Sequence, residues 1–324
     1  MTTKRSVRVA CIGAGWVARS GHCPALRDID EAELAAVCDV DAERAQSVAA
    51  QFGCPASYTD YRAMLREVEP DAVYVLLPPH VMGEVVPYCL RAGLDLLIEK
   101  PPGVTPTQTR KWARLAEEQD RRTMVAFNRR FIPILVESRR LVEERAPIHQ
   151  CCVTYVKDYQ KNYDPHATGA CDVVYLDPIH AIDALRWLGG EVKRVHSVVR
   201  AVEGADPNTF AAVLEFDSGA VGLLNASWAA GGRVHSFELH AVGASAFVDT
   251  NNQARVFTRG QKDPLVLDAR EVAGSGEFHR YYGFLDENRY FIDCILNDSL
   301  PQTHLADAVR TMELCDRILR QGWQ

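Results

Sequence analysis

The sequence predicts an α/β protein: an N-terminal doubly wound parallel sheet, followed by a C-terminal α+β domain with a large, mainly antiparallel sheet. Three observations predict it. Short, wholly apolar runs alternate with helical stretches over about the first 125 residues. A glycine turn joins the first apolar run to the first helix. After Asn128 the rhythm changes to longer alternating segments separated by tight turns.

The N-terminal strands are expected at Val7–Ile12, Leu34–Asp39, Ala72–Leu77, Leu94–Glu99 and Thr123–Phe127. They are too apolar for one-sided exposure, so helices must cover both faces. Those helices are expected at Trp16–Asp28, Ala42–Phe52, Tyr61–Val68, Val81–Ala92 and Pro106–Gln119, with Asp41 as an N-cap and Gly53 and Gly93 as stops. Beyond Asn128 come a helix over Ile132–Glu144, a strand over Cys151–Lys157, a polar loop from Asp158 to Gly169 and a helix through His180 that ends at Gly189–Gly190. Thr209–Phe216 and Ala220–Trp228, joined by Asp217–Ser218–Gly219, read as an antiparallel hairpin. Phe237–Asp249 continues in that style, and helices over Arg289–Leu296 and Leu305–Arg320 close the chain. The two domains are placed at 1–127 and 128–324, in keeping with about 150 residues per domain.

Composition excludes several classes of function. Lys and Arg total 36 against 43 Asp and Glu, a net charge of −7. Mild acidity argues against nucleic acid or an anionic membrane surface as a partner, since both need clustered positive charge. With 47% hydrophobic and 24% charged residues the chain has the balance of a globular protein. Its longest apolar runs fall far short of the roughly 20 residues of a membrane-spanning helix. The ten cysteines are scattered, with no C-x-x-C pair and no metal-ligand spacing. They are expected to be reduced, mostly core residues of a cytoplasmic protein, with Cys151 and Cys152 as strand neighbours pointing to opposite faces, and no metal is expected. Lys4 and Arg5 precede an apolar stretch, but Arg8, Gly13 and Gly15 interrupt it too early for a secretion signal.

Gly13-Ala14-Gly15-Trp16-Val17-Ala18 follows the first strand and opens the first helix. Gly13 permits the tight turn, Gly15 lets a pyrophosphate approach the backbone, and small Ala18 allows the helix to pack on the strand. A diphosphate would sit on the helix N-terminus, where free N–H groups and the positive dipole end accumulate. The second strand ends in Asp39, at the spacing of about 20 residues where a carboxylate accepts the ribose hydroxyls of NAD and repels the 2′-phosphate of NADP. NAD is the expected cofactor, with NADP the alternative. A tight turn beside a helix-capping Asp39 is the plain reading of the same residues.

The fourth apolar strand ends in Glu99-Lys100-Pro101-Pro102. In open α/β sheets ligands bind just beyond the carboxyl ends of the strands. Lys100 therefore lies where a nicotinamide ring would, or else is a solvated lysine in a βα loop. Beside a reacting carbinol its ammonium would steady the developing alkoxide or help carry its proton.

Together these segments resemble the glucose–fructose oxidoreductase/inositol dehydrogenase (Gfo/Idh/MocA) family. Asn128-Arg129-Arg130-Phe131 is similar to that family's domain junction, and His180-Ala181-Ile182-Asp183, with Leu185-Arg186-Trp187-Leu188-Gly189 behind it, resembles its histidine motif. The resemblance covers nearly the whole chain. It implies a Rossmann domain plus an open-faced sheet domain, NAD(P), and hydride transfer on sugar- or cyclitol-like alcohols and ketones. It also implies that Lys100 and His180 line the reaction centre and that homodimers or homotetramers form through the sheet.

Two departures stand out. Leu176 occupies the place of an Asp common in the family four residues before the histidine, and Asp177 lies three before. Asp177 is either a partner that orients His180 from the same helix face or an N-cap ahead of Pro178. Met82 stands where many relatives carry a histidine, and in Pro78-Pro79-His80-Val81-Met82 the nearby His80 is the candidate to approach the nicotinamide side. His180 is expected to share a stripe with Asp183 and Trp187, away from Ile179, Ile182 and Leu185, and to serve as general base; a satisfied core histidine is the plain alternative. Catalytic candidates are thus Lys100, His180 and Asp177. Cofactor candidates are Gly13, Gly15, Trp16, Val17, Asp39, Pro78, His80, Glu99, Lys100 and Asn128. For a polyol- or sugar-like substrate, Arg129 or Arg130, Tyr155, Lys157, Tyr163 and His166 are candidates. The readings kept beside a dehydrogenase are an imine or enamine reductase, a redox-neutral enzyme using NAD transiently, and a non-catalytic regulator that kept the nucleotide fold.

Overall fold

Six parallel strands form the first sheet: β1 (Val7–Ile12), β2 (Ala32–Cys38), β3 (Ser57–Tyr58), β4 (Ala72–Val75), β5 (Asp95–Ile98) and β6 (Thr123–Val125), in the spatial order β3-β2-β1-β4-β5-β6. The order reverses between β1 and β4, the point where an open sheet leaves a crevice beyond its carboxyl edge. Every residue of β4 and β5 is buried, as a sheet covered on both faces requires. Asp41 caps the helix Ala42–Phe52 by accepting from the Arg44 amide. The computed structural model describes residues 6–158, 171–202, 206–320 and 322–323.

The helix expected over Trp16–Asp28 is divided. A π-helical turn spans Ala18–His22, with the Cys23 amide bonded to the Ala18 carbonyl, and an α-helix follows over Cys23–Arg27. Pro24 has no N–H to give to the preceding turn, so the wide turn ends where the proline ring fixes the backbone.

The second sheet has nine strands: β7 (Ile148–Asp158), β8 (Val192–Arg200), β9 (Thr209–Phe216), β10 (Val221–Ser227), β11 (Ala229–Ala241), β12 (Ala244–Asp249), β13 (Gln253–Thr258), β14 (Leu265–Asp268) and β15 (Gly322–Trp323). Their order is β14-β13-β12-β11-β7-β10-β9-β8-β15, antiparallel except where β7 runs parallel to β10. The expected hairpin forms, Leu223 opposite Val213. One face is covered by the helix Pro178–Gly189, packed on β7 and β10, and by Pro133–Glu143, packed on β11, β12 and β13. A Cβ on Gly189 would come within 2.2 Å of the Phe216 ring, so the helix approaches as closely as it does only with glycine there. The other face is the more exposed one and mixes apolar side chains such as Val213, Leu223 and Phe247 with polar ones such as Glu215, Asn225 and Ser245.

Contacts divide the chain into two compact units. One comprises Met1–Ala126, Phe278–Arg280 and Phe284–Val309; the other comprises Phe127–Glu277, Tyr281–Gly283 and Arg310–Gln324. The chain thus first changes unit at 126/127, while the late helix Phe284–Leu296, which sequence reading groups with the second domain, packs in the first unit. Among the described residues no helix is long and apolar enough to cross a membrane.

Candidate active site

The glycine turn sits at the β1/β4 reversal. Gly13 has φ +107°, its amide bonds the Cys38 carbonyl at 2.8 Å, and a Cβ there would lie 2.3 Å from the Leu76 carbonyl oxygen. Only glycine fits. Around Gly15 the opposite holds: among the described residues nothing lies within 4 Å of where its Cβ would be. The helix begins here, the Arg19 amide bonding the Gly15 carbonyl at 3.1 Å, so the amides of its first turn have no earlier turn to serve. Trp16 is 68% exposed and Val17 half-buried on that turn, with Trp16 against Phe278 at 5.6 Å between ring centres.

Asp39 closes the turn from β2. Its Oδ2 accepts the Ala14 amide at 2.9 Å, its Oδ1 accepts the Asp41 amide at 3.0 Å, and Arg44 Nη1 stands 3.4 Å from Oδ1. Oδ2 keeps a second lone pair beyond the Ala14 bond, so a ribose hydroxyl can be accepted there without breaking either amide bond. Oδ1 already takes both the Asp41 amide and Arg44, so a hydroxyl at Oδ1 would displace Arg44. An obligatory glycine, an open approach over Gly15, a helix start and an acceptor pair make a donor and acceptor set that fits a dinucleotide.

At the end of β5, Glu99 is buried and points back into the first unit. Its Oε1 faces His22 Nε2 at 3.3 Å, and its Oε2 accepts the Lys100 amide at 3.0 Å. His22 is fully buried in the π-helical turn, and its Nδ1 faces the Asn288 side chain. A chain from Asn288 through His22 and Glu99 thereby holds the backbone at half-buried Lys100, where the Lys100–Pro101 peptide is cis. Pro78 and His80 are exposed in the segment after β4.

In the second unit the helix Pro178–Gly189 carries His180 in its first turn, buried, with its ring edge-on to Phe127 at 6.4 Å. Asp177 holds the N-cap position, but its side chain makes no capping bond. It pairs with Lys157, whose ammonium also lies 5.2 Å from the Trp228 ring centre. Asp183 does not line a polar stripe with His180. It is fully buried, held by Arg130 through two bonds at 2.6 and 2.8 Å and by the Thr311 hydroxyl at 2.9 Å. The whole stretch Pro178–Arg186 is buried, so covering elements surround a helix that was expected to be two-faced.

Arg130, a substrate candidate in sequence, is therefore committed to Asp183. Arg129 bonds the Asn128 side-chain oxygen at 2.6 Å and stacks on Tyr282 at 4.5 Å. Asn128, buried, also donates to the Tyr282 carbonyl at 2.9 Å. Tyr155 is buried in a stack with His235, 4.2 Å between ring centres, and edge-on to Trp228 at 5.2 Å. Burial, with the negative charge of Asp177, pushes the Tyr155 phenol well above its ordinary value. Burial, then the guanidiniums of Arg129 and Arg233, hold the His235 imidazole neutral, well below its ordinary value. Among the described residues neither ring nitrogen of His235 has a hydrogen-bond partner. Arg233 donates to the Tyr282 hydroxyl at 2.7 Å. Tyr163 and His166 lie outside the described residues.

Thus Gly13, Gly15, Trp16, Val17 and Asp39 share one turn of the first unit, and Glu99 and Lys100 one strand end. Asp177 and His180 share one helix start in the second. Sequence reading missed His22, Asn288, His235, Arg233 and Tyr282. His22 follows the glycine motif inside a stretch read only as helix. His235 and Arg233 precede the residues taken as the start of their strand, and no spacing ties them to Tyr155.

Residues 7–127 match the model of an oxidoreductase family with an NAD-binding Rossmann fold, and residues 163–246 match that of the GFO/IDH/MocA C-terminal domain. Among curated relatives, D-glucoside 3-dehydrogenase of Escherichia coli (strain K12) is 36% identical over 129 residues, 40% of this chain and 37% of that protein. D-apiose dehydrogenase of Paraburkholderia graminis is 25% identical over 330 residues, 97% of this chain and 87% of that one. Inositol 2-dehydrogenase of Rhizobium meliloti is 25% identical, covering 94% of this chain and 96% of that one. A levoglucosan dehydrogenase solved with NADH and levoglucosan superposes with a TM-score of 0.85 at 20% identity, covering 99% of each chain, a likeness of fold.

Proposed function

The chain belongs to the Gfo/Idh/MocA family of NAD(P)-dependent oxidoreductases, and we propose that it moves a hydride between nicotinamide and a hydroxyl or keto carbon of a sugar, cyclitol or related polyol. The carrying observation is the Gly13–Gly15 turn locked to Asp39 by the 2.9 Å bond from Ala14. The relatives named for glucoside, apiose and inositol oxidation support the substrate class.

When bound, the nicotinamide supplies the acceptor or donor of the hydride. The first-turn amides after Gly15, with Trp16 and Val17, hold the diphosphate, and Asp39 takes the ribose hydroxyls and selects NAD over NADP by charge. Pro78, His80 and Asn128 belong to the same cofactor-binding set in this reading. Glu99 acts through its bond to the Lys100 amide, fixing where that ammonium emerges. Lys100 offsets the charge that develops on the substrate oxygen, and His180 takes the hydroxyl proton on an imidazole nitrogen. Asp177 is a positioning residue: paired with Lys157, it anchors the helix start that carries His180. The aromatic and polar cluster of Tyr155, Trp228, Arg233 and Tyr282 suits hydroxyl recognition, since sugar sites combine ring faces with a few fixed polar groups.

Val198, Val213, Val221, Leu223, Phe247 and Phe257 are exposed on the open sheet face. That apolar face supports self-association into a homodimer or homotetramer. The test of function is reduced-nicotinamide absorbance with NAD⁺ across sugars and polyols. Turnover on at least one supports the reading; cofactor binding with no turnover on any would replace it with a regulator.

A further inference from the structure

We propose that Cys152, Glu238 and His240 bind a zinc-class divalent cation on the open face of the nine-stranded sheet. Strand geometry brings them together. Glu238 on β11 lies opposite Cys152 on β7, and His240, two residues on, shares Glu238's face. This is the face opposite buried Cys151 and Val153. One ligand atom from each of the three residues lies within 4.8 Å of the other two.

The details around the cluster are those of a metal site. His240 Nε2 stands 3.5 Å from Glu238 Oε2. That is close to the edge of a tetrahedron with bonds of about 2.0–2.2 Å to zinc. His240 Nδ1 lies 2.9 Å from the Ser245 hydroxyl on β12. A proton shared there fixes the ring and leaves the Nε2 lone pair for the cation, the arrangement metal-bound histidines adopt. Gln150 Nε2 lies 3.8 Å from Cys152 Sγ, a donor beside the sulfur. Leu223 flanks Cys152 on β10, and Phe247 flanks Glu238 on β12, its ring edge-on to His240 at 5.6 Å. These apolar neighbours lower the local dielectric around the cluster and so strengthen its charge interactions.

Sulfur, nitrogen and oxygen donors together select zinc over calcium or magnesium, which take oxygen alone. Three protein ligands leave a fourth position for water. Binding displaces the Cys152 thiol proton to solvent. The site would clip β7 to β11 and, through Ser245, to β12. Its residues come from strands far apart in the chain, so no sequence spacing announces it.

The test is titration of chelator-treated protein with Co²⁺, read by absorbance. The expected result is saturation at one equivalent per chain, with a thiolate-to-cobalt charge-transfer band in the near ultraviolet. Zn²⁺ added afterwards should bleach that band. Cys152→Ser should lose it entirely while keeping the far-ultraviolet circular dichroism of the parent. Ser245→Ala should keep the band but weaken binding about tenfold or more. His240→Ala should weaken it further. A titration without the band, or a band of full intensity in Cys152→Ser, overturns the proposal. So does unaltered affinity in His240→Ala, which would leave the three side chains as a polar network.

Discussion

Asp39 accepts the amide of Ala14 at 2.9 Å, so the carboxylate at the end of the second strand also shapes the glycine turn. Removing it should weaken cofactor binding and relax selectivity. A hydrogen bond to a charged group contributes about 1.5–3 kcal/mol. Asp39→Ala should therefore raise the Kd for NADH by about 10- to 100-fold in a fluorescence titration, and should narrow the preference for NADH over NADPH. An unchanged Kd and an unchanged preference would remove Asp39 from the cofactor site.

The Arg130–Asp183 pair is a stability element of the second unit. Both groups are buried, so deleting one strands the charge of the other. Asp183→Ala should cost about 3–5 kcal/mol in urea unfolding. A loss under about 1 kcal/mol would mean that the cavity hydrates and that the pair matters little.

Asp28 makes the first unit sensitive to acid. Burial favours its protonated form, but hydrogen bonds from His279, Arg280 and Arg27 outweigh this and hold it from the ordinary 3.8 down to about 2. A depressed carboxyl contributes stability that is complete above its unfolded value and is lost as pH falls through the folded one. The wild-type protein should therefore lose stability between pH 3.8 and about 2 more steeply than Asp28→Asn does in acid-titrated unfolding. Parallel curves would show that the contact adds nothing.

Asp177 and His180 should separate in kinetics. His180→Asn should lower kcat by about 10²–10⁴, the usual range for a lost general base, with NADH affinity intact. Asp177→Asn, which weakens the pair with Lys157, should lower kcat less and alter its pH profile. Equal losses in both variants would make Asp177 a direct participant.

The open sheet face should decide assembly. Leu223→Lys places a charge on that face, opposite Val213. It should shift the protein to a smaller species in size-exclusion chromatography at micromolar concentration. A monomeric wild-type protein would contradict self-association through this face.

The parts of the candidate site legible in the sequence are those whose geometry is local. Gly13 through Ala18 is one continuous turn, and Asp39 follows at a separation set by one helix and one strand. Burial and long-range pairing hid the rest. Asp183 and Trp187 have the right helical spacing to face a cleft with His180, yet Arg130, some 50 residues away, captures Asp183. The N-cap assignment of Asp177 follows from Pro178, and only the fold brings Lys157 on β7 close enough to take its carboxylate. His22 reads as one more helical residue until β5 and the late helix Phe284–Leu296 place Glu99 and Asn288 on its two nitrogens. His235 and Cys152 owe their surroundings to strand register, which pattern alone leaves open.

In the proposed reaction Lys100 stands at the reacting oxygen during hydride transfer. The direct measurement is reduced-nicotinamide formation from NAD⁺ and a polyol, comparing the wild-type protein with Lys100→Met at equal cofactor occupancy. Turnover in the wild type that falls at least about 100-fold in the variant, with NADH still bound, is the predicted result. Undiminished turnover in Lys100→Met would contradict it.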